Sequence, residues 1–272
     1  MSEQARDQFL QLHGARLRYR DEGEGQAIVL VHGWTLDLAM WDLQVARLRN
    51  GFRLVRLDRR GHGLSTGSSA AGRDASDLDS LCRHLRLENV ALIGTSQGAR
   101  GVLAFAGAAP TRVRALVLDG VPNLQSPTSE DDVPLAHYRS LIHGQGIEAV
   151  RREWQRHPLM QLRTQDRPTR ELLRAMLQRY SGRDLIGPVN EPGTAAERLP
   201  LSSVRAPTLI LNGEFDLASR LTAAKYLTDH LVGAERSSIA GAGHLPSLDN
   251  PDVYSELCRS FLTRHMHSPA AC

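Results

Sequence analysis

The 272-residue chain has a single lysine, Lys225, three cysteines, only 5% aromatic residues and no long apolar run. Each shortage excludes something. Cys82, Cys258 and Cys272 are odd in number, far apart and without CxxC spacing, so neither a disulfide framework nor a zinc site is indicated. No segment approaches the roughly 20 apolar residues that span a bilayer, so no membrane partner is expected. Met1-Ser2-Glu3-Gln4-Ala5-Arg6-Asp7-Gln8 is polar where a secretory signal would be apolar, which makes a cytoplasmic location the expectation. The formal charge of +3 rests almost wholly on arginine. These arginines sit among acids, as in Arg151-Arg152-Glu153 and Arg170-Glu171, with few aromatics between them. That is the pattern of solvated helix faces, and nucleic acid is not an expected partner. His265 and His267 have chelating spacing but lie in a terminal tail, so no metal and no cofactor is expected.

What is present is alternation. Residues 8–12 and 16–20 have the period of two of half-exposed strands, joined across His13-Gly14. Ala27-Ile28-Val29-Leu30-Val31 is a continuous apolar run, as in a strand covered on both faces. Further strands are predicted at 52–57, 90–93 and 113–118, with helical patterns between them at 38–48, 77–87 and 96–108. This order implies a mainly parallel, doubly wound α/β sheet. The alternation stops after Asp119-Gly120. Residues 122–200 hold no convincing strand but several arginine-rich amphipathic helices, at 134–142, 147–156 and 168–180. Strand logic resumes at 207–213, followed by a helix over 219–230, a last strand at 236–239 and a closing helix over 251–265. The chain thus divides into a core of residues 1–121 and 201–272 and a helical cap, or lid, of residues 122–200 inserted between two central strands. No repeat or low-complexity tract interrupts it.

Gly94-Thr95-Ser96-Gln97-Gly98 lies between the buried run Val90-Ala91-Leu92-Ile93 and a small-residue helical pattern. A serine on a sharp strand-to-helix turn is pushed out of the sheet edge, and only very small residues two before and two after it let strand and helix pass so closely. The helix N-terminus offers backbone N–H groups and a positive dipole end to a developing oxyanion. The pentapeptide pattern alone arises by chance in about one such chain in ten, and this chain holds a second copy, Gly63-Leu64-Ser65-Thr66-Gly67. That copy has no strand before it and no amphipathic helix after it, so Ser65 reads as loop.

A serine nucleophile needs a base, and the base needs an acid. Candidates stand after the later strands: Asn212-Gly213-Glu214-Phe215-Asp216, and the glycine-loosened Ala240-Gly241-Ala242-Gly243-His244. Together with His32-Gly33-Trp34, Asp58-Arg59-Arg60-Gly61-His62-Gly63-Leu64-Ser65 and Gly243-His244-Leu245-Pro246, these motifs fall in the order of the α/β-hydrolases. Outside residues 122–200 the whole chain resembles that family, in particular its small-molecule esterase, enol-lactonase and cofactor-free haloperoxidase branch. The resemblance implies an eight-stranded sheet with the cap before the seventh strand. It also implies Ser96 as nucleophile, His244 as general base and then acid, and Asp216 as the orienting acid, with Asp119 and Glu214 as rivals for that last role. The oxyanion hole is expected at the backbone N–H groups of Trp34 and Gln97, each donor contributing about 3 kcal/mol. His32 and the 58–65 stretch are expected to hold loops, and His230 to lie on the surface. The sequence departs from the usual pattern at Gln97, where Met or Leu is common, and at Ala99, where a second Gly is common.

The expected activity is hydrolysis of a small ester or lactone through an acyl-enzyme, with a small molecule as the partner and the oligomeric state left open. Dehalogenases and epoxide hydrolases of this fold place Asp at the elbow, so Ser96 argues against both. A carbon–carbon bond hydrolase with the same triad, and a cofactor-free dioxygenase using the His–Asp pair as a base, are the alternatives. A non-hydrolytic receptor is disfavoured by an intact triad. Arg139, Arg151, Arg152 and Arg163 are expected on solvated helix surfaces.

Overall fold

The continuous apolar runs become the middle of the sheet. β3 (Gln26–Val31), β5 (Val90–Thr95), β6 (Val113–Asp119) and β7 (Thr208–Gly213) are buried along almost their whole length, and β4 (Phe52–Leu57) flanks them. β1 (Gln8–Leu12), β2 (Ala15–Glu22) and β8 (Glu235–Ile239) complete an eight-stranded sheet in the order β1-β2-β4-β3-β5-β6-β7-β8. β1 and β2 run antiparallel to their neighbours and the other strands are parallel. This computed structural model describes residues 6–67, 73–124, 133–186 and 201–266.

Alternate residues of each strand feed two cores, as a pleated strand requires. Ile28, Leu30, Ile93, Val117 and Leu211 pack under α1 (Asp42–Leu48) and α10 (Pro251–Met266). Val29, Val31, Leu92, Leu118 and Ile210 pack under α2 (Arg73–His84), α3 (Gln97–Ala108) and α8 (Ala218–His230). Helices on both faces make the sheet doubly wound, as expected from the alternation.

Between β6 and β7 lie α4 (Leu135–Gln145), α5 (Ile147–Trp154), α6 (Arg167–Arg179) and the single turn α7 (Arg183–Ile186). Their apolar sides, including Tyr138, Ile142, Val150, Trp154, Leu173 and Met176, join the first core beside Trp34 and Leu36. The predicted span of residues 122–200 therefore holds helices where it is described, while 125–132 and 187–200 lie outside the described residues.

Two predicted helices differ in detail. The 38–48 pattern opens as a 3-10 turn, Leu38–Trp41, because carboxylates tighten its start: Asp37 accepts from the Ala39 N–H and Asp58 from the Leu38 N–H. The helix predicted over 77–87 begins at Arg73 and stops at His84, since Arg86 turns left-handed (φ 54°) and the Leu87 N–H folds back onto the Cys82 carbonyl at 2.8 Å. The turn α9 (Pro246–Asp249), after the His244 loop, was not predicted.

Candidate active site

Ser96 stands outside the helix it was expected to start. It occupies the junction of β5 and α3 at φ 53°, ψ −117°, a region that costs a side-chain-bearing residue on the order of 1–3 kcal/mol. The surroundings enforce it. The Ser96 N–H donates to the Asp119 carbonyl at 2.8 Å. A Cβ at Gly94 would lie 2.7 Å from the Ala99 Cα, and one at Gly98 would lie 2.5 Å from the carbonyl oxygens of Val31 and His32. Both glycines are thus set by backbone contact. Gly33 passes over the serine, where an added Cβ would lie 3.4 Å from the Ser96 Cβ.

His244 reaches the same end of the sheet from the loop after β8. Its Nδ1 lies 2.9 Å from Asp216 Oδ1, with both side chains buried. The imidazole rests on Gly120, where an added Cβ would lie 2.6 Å from its Cε1. Gly120 follows Asp119, whose carbonyl anchors Ser96, so Ser96 and the His244 ring both border the Asp119–Gly120 segment, and Ser96, Asp216 and His244 follow the carboxyl ends of β5, β7 and β8. Asp216 is fixed in turn by the Leu217 N–H at 2.8 Å and by Asn212 Nδ2 at 3.2 Å. Asn212 is a support that sequence reasoning missed. Burial opposes ionisation of Asp216, but the facing His244, the Asn212 amide and the Leu217 N–H outweigh it and hold the carboxyl below the usual range.

The rival acids hydrogen-bond elsewhere. Glu214 accepts from the Gly241 N–H at 2.9 Å and steadies the histidine loop from outside. Asp119 is fully buried, and its Oδ2 accepts from Tyr254 Oη at 2.6 Å and Thr95 Oγ1 at 2.9 Å. Burial, assisted by the charge on Asp216 and opposed by those two hydrogen bonds, pushes it up to about 7. Neighbouring carboxyls are thus driven apart, one ionised and one holding its proton.

That separation has a consequence for stability. Between about pH 4 and pH 7 folded Asp119 keeps a proton that the unfolded chain has lost. The unfolded state binds fewer protons there, so this group lowers stability as pH rises, with a limiting slope of about 1.4 kcal/mol per pH unit. Asp119→Asn is therefore expected to be near neutral at pH 4 and progressively stabilising up to pH 8. Thermal unfolding of both proteins across that range checks it, and a difference independent of pH would refute it.

A third tie secures the histidine loop. Asp249 accepts the Gly243 N–H at 2.8 Å on one oxygen and the N–H groups of Arg163 and Thr164 at 2.6 and 3.0 Å on the other. Residues 161–164, which lead into α6, are thereby pinned against the residue preceding His244.

At the expected oxyanion hole, Gln97 is the first residue of α3, so its N–H has no partner within the helix. Its side-chain oxygen accepts from Arg59 at 2.7 Å, and Arg59 is itself paired with Asp74. The polar side chain is thus drawn towards the Arg59–Asp74 pair. The Trp34 indole donates to Asp184 Oδ2 at 2.6 Å and packs against Tyr138, Trp154 and Tyr180. Thr35 has φ 66°, a true outlier for a β-branched residue.

The remaining candidates are structural in their contacts. His32 Nε2 accepts from the Arg59 N–H and its Nδ1 donates to the Gly33 carbonyl at 2.7 Å; burial holds it well below the ordinary imidazole range, so it is neutral. Asp58, raised to about 6 by burial, accepts from the Leu38 and Leu64 N–H groups. Ser65 is fully buried, donates to the Asp58 carbonyl at 2.7 Å and accepts from the Arg18 N–H at 2.8 Å. His230 is exposed on α8. Two of the arginines depart from expectation. Arg139 donates to the carbonyls of Asp184 and Leu185, and Arg151 to that of Tyr180, so both tie helices together. Arg163 lies 4.1 Å over the Phe215 ring, and Arg152 is exposed. Among the described residues no group of three or more His, Cys, Asp or Glu could hold a metal ion, and no helix is long and apolar enough to cross a membrane.

Known proteins share this arrangement of chain. A Bacillus subtilis (strain 168) protein named as a candidate 2-succinyl-6-hydroxy-2,4-cyclohexadiene-1-carboxylate synthase is 28% identical over 92% of this chain and 96% of its own. The pimeloyl-[acyl-carrier protein] methyl ester esterase of Pectobacterium carotovorum subsp. carotovorum (strain PC1) is 27% identical over 91% of this chain and 98% of its own. A thermophilic esterase from Thermogutta terrifontis, solved with malate bound, superposes with a TM-score of 0.79 at 25% identity, covering 96% of this chain and all of that one. Residues 26–251 match the pattern of the α/β hydrolase fold, and the chain belongs to that family.

Proposed function

We propose that the protein is a serine hydrolase that opens a small-molecule carboxylic ester or lactone through an acyl-enzyme on Ser96. The observation that carries this reading is a strained serine elbow and a buried Asp216–His244 pair that both border Asp119–Gly120. His244 Nε2 takes the Ser96 hydroxyl proton as Oγ attacks the carbonyl, while Asp216 holds the Nδ1–H tautomer and stabilises the imidazolium. The oxyanion of the tetrahedral intermediate lies between the N–H groups of Trp34 and Gln97. On collapse His244 passes its proton to the leaving alkoxide, and water then repeats the sequence to release the acid. The helices α4 to α7, between β6 and β7, form the cap over this site and select the substrate. The esterases among its relatives and structural neighbours support the reaction class.

A serine-directed organophosphonate distinguishes this from chemistry in which the His–Asp pair acts alone on a substrate carbanion and O₂. We expect one covalent label, on the peptide holding Ser96, and turnover unchanged when oxygen is removed. Oxygen consumption matching product formation, with Ser96→Ala keeping a good part of the rate, would replace the hydrolase with an oxygenase.

A further inference from the structure

We infer that the helices between β6 and β7 position the oxyanion donor, with Trp154 and Asp184 as positioning residues that hold the Trp34–Thr35 loop in its working conformation. The inference rests on the hydrolase reading above, and in particular on the Trp34 N–H as a donor.

Three residues of one short loop are each tied to a different one of these helices. The Trp34 indole donates to Asp184 on α7 at 2.6 Å, the Trp154 indole on α5 donates to Thr35 Oγ1 at 2.7 Å, and Arg179 on α6 pairs with Asp37 at 2.8 Å. The first two contacts are enclosed: Trp34, Thr35 and Trp154 are 6%, 1% and 2% exposed.

The chemistry of the Thr35 hydroxyl fixes its direction. It has one proton, given to the Trp34 carbonyl at 2.6 Å, so its lone pair receives the Trp154 indole N–H. This pair of bonds braces a β-branched residue in the left-handed region, which it would otherwise leave. Asp184 is braced as well, since its second oxygen accepts from Tyr180 Oη at 2.6 Å.

The peptide that carries the Trp34 N–H is therefore gripped from both sides. On the sheet side the neutral His32 donates to the Gly33 carbonyl, the other end of that same peptide unit. On the helix side Asp184 holds the Trp34 side chain and Trp154 holds the residue that follows. With the helices seated the N–H is aimed; with them lifted, the loop has every reason to relax away from its strained form. The segment that admits substrate thus also completes the hole.

The test uses a short-chain p-nitrophenyl ester as substrate and a trifluoromethyl ketone as tetrahedral mimic. Trp154→Phe removes the N–H and keeps a ring, and Asp184→Leu removes the acceptor at similar volume. Each is expected to lower kcat about 10- to 100-fold, with KM changed less than about threefold and ketone affinity falling in step with kcat. Asp184→Asn, which keeps an acceptor oxygen, should recover most of the loss seen in Asp184→Leu. Thr35→Val should reproduce Trp154→Phe, which keeps the test decisive if Asp184→Leu does not fold. Changes confined to KM, or kcat and ketone affinity held at wild-type levels, overturn the inference. If Ser96 still labels and Ser96→Ala is inactive in the same series, such a result leaves the hydrolase reading standing. Activity in Ser96→Ala would remove both.

Discussion

Ser96→Ala is expected to lose at least ~10³-fold in turnover of a short-chain p-nitrophenyl ester while keeping its fold. In the proposed mechanism the Ser96 Oγ is the one atom that bonds to the acyl group, and the base and acid work only through that bond, so nothing downstream compensates. Stability should hardly change, because Ala occupies the same positive-φ position and the Ser96 N–H bond to Asp119 remains. Ser65→Ala is the natural control. Its hydroxyl joins the Asp58 carbonyl to the Arg18 N–H in a fully buried site, so its removal should cost about 1–3 kcal/mol of stability with the rate little affected. Comparable turnover in wild type and Ser96→Ala, or loss of chemistry in a folded Ser65→Ala, would move the nucleophile elsewhere.

Asp216→Asn is expected to lower kcat by about 10⁴-fold in a folded protein. An amide at that position can present N–H to the imidazole and favour the tautomer with its proton on the wrong nitrogen. It also leaves the imidazolium of the transition state without a facing charge. Asp119→Asn should stay within a few-fold of wild type, because the carboxyl it replaces is held by Tyr254 and Thr95, whereas the His244 ring is hydrogen-bonded to Asp216. Steady-state rates of the two variants decide the matter. If Asp119→Asn is the damaging change, the working acid lies on β6.

The sheet was legible because its central strands are covered on both faces. Ala27 to Val31 and Val90 to Ile93 can be nothing but buried, and the register of the glycines around Ser96 follows from the crowding that Gly94 and Gly98 relieve. The four-residue turns α7 and α9 were not legible. Each is too short to show a period, and α7 buries only Leu185. The supports of the site were hidden for a related reason. Trp34 meets Asp184 across 150 positions and Thr35 meets Trp154 across 119, so no local pattern announces either pair. Arg139 and Arg151 were expected to face water because the chain's arginines sit among acids as on solvated helix faces, yet the carbonyls they bind lie on α7 and at the end of α6. Asn212 stood within the acid motif itself, but its task depends on how the turn after β7 folds back.

The Asp249 carboxylate decides where the chain can be cut and rejoined. It binds residue 243 of the histidine loop and residues 163 and 164 of the connection into α6 at once. Anyone grafting a relative's helices onto this sheet to change its substrate range would, by swapping the whole segment, also strip Asp249 of two of the three N–H partners that steady it beside the His244 loop. Residues 161–164 therefore belong with the recipient sheet in such a chimera. The helices on either side of that connection can be exchanged where Trp154 and Asp184 are kept to hold the Trp34–Thr35 loop and Asp249 keeps all three of its N–H partners.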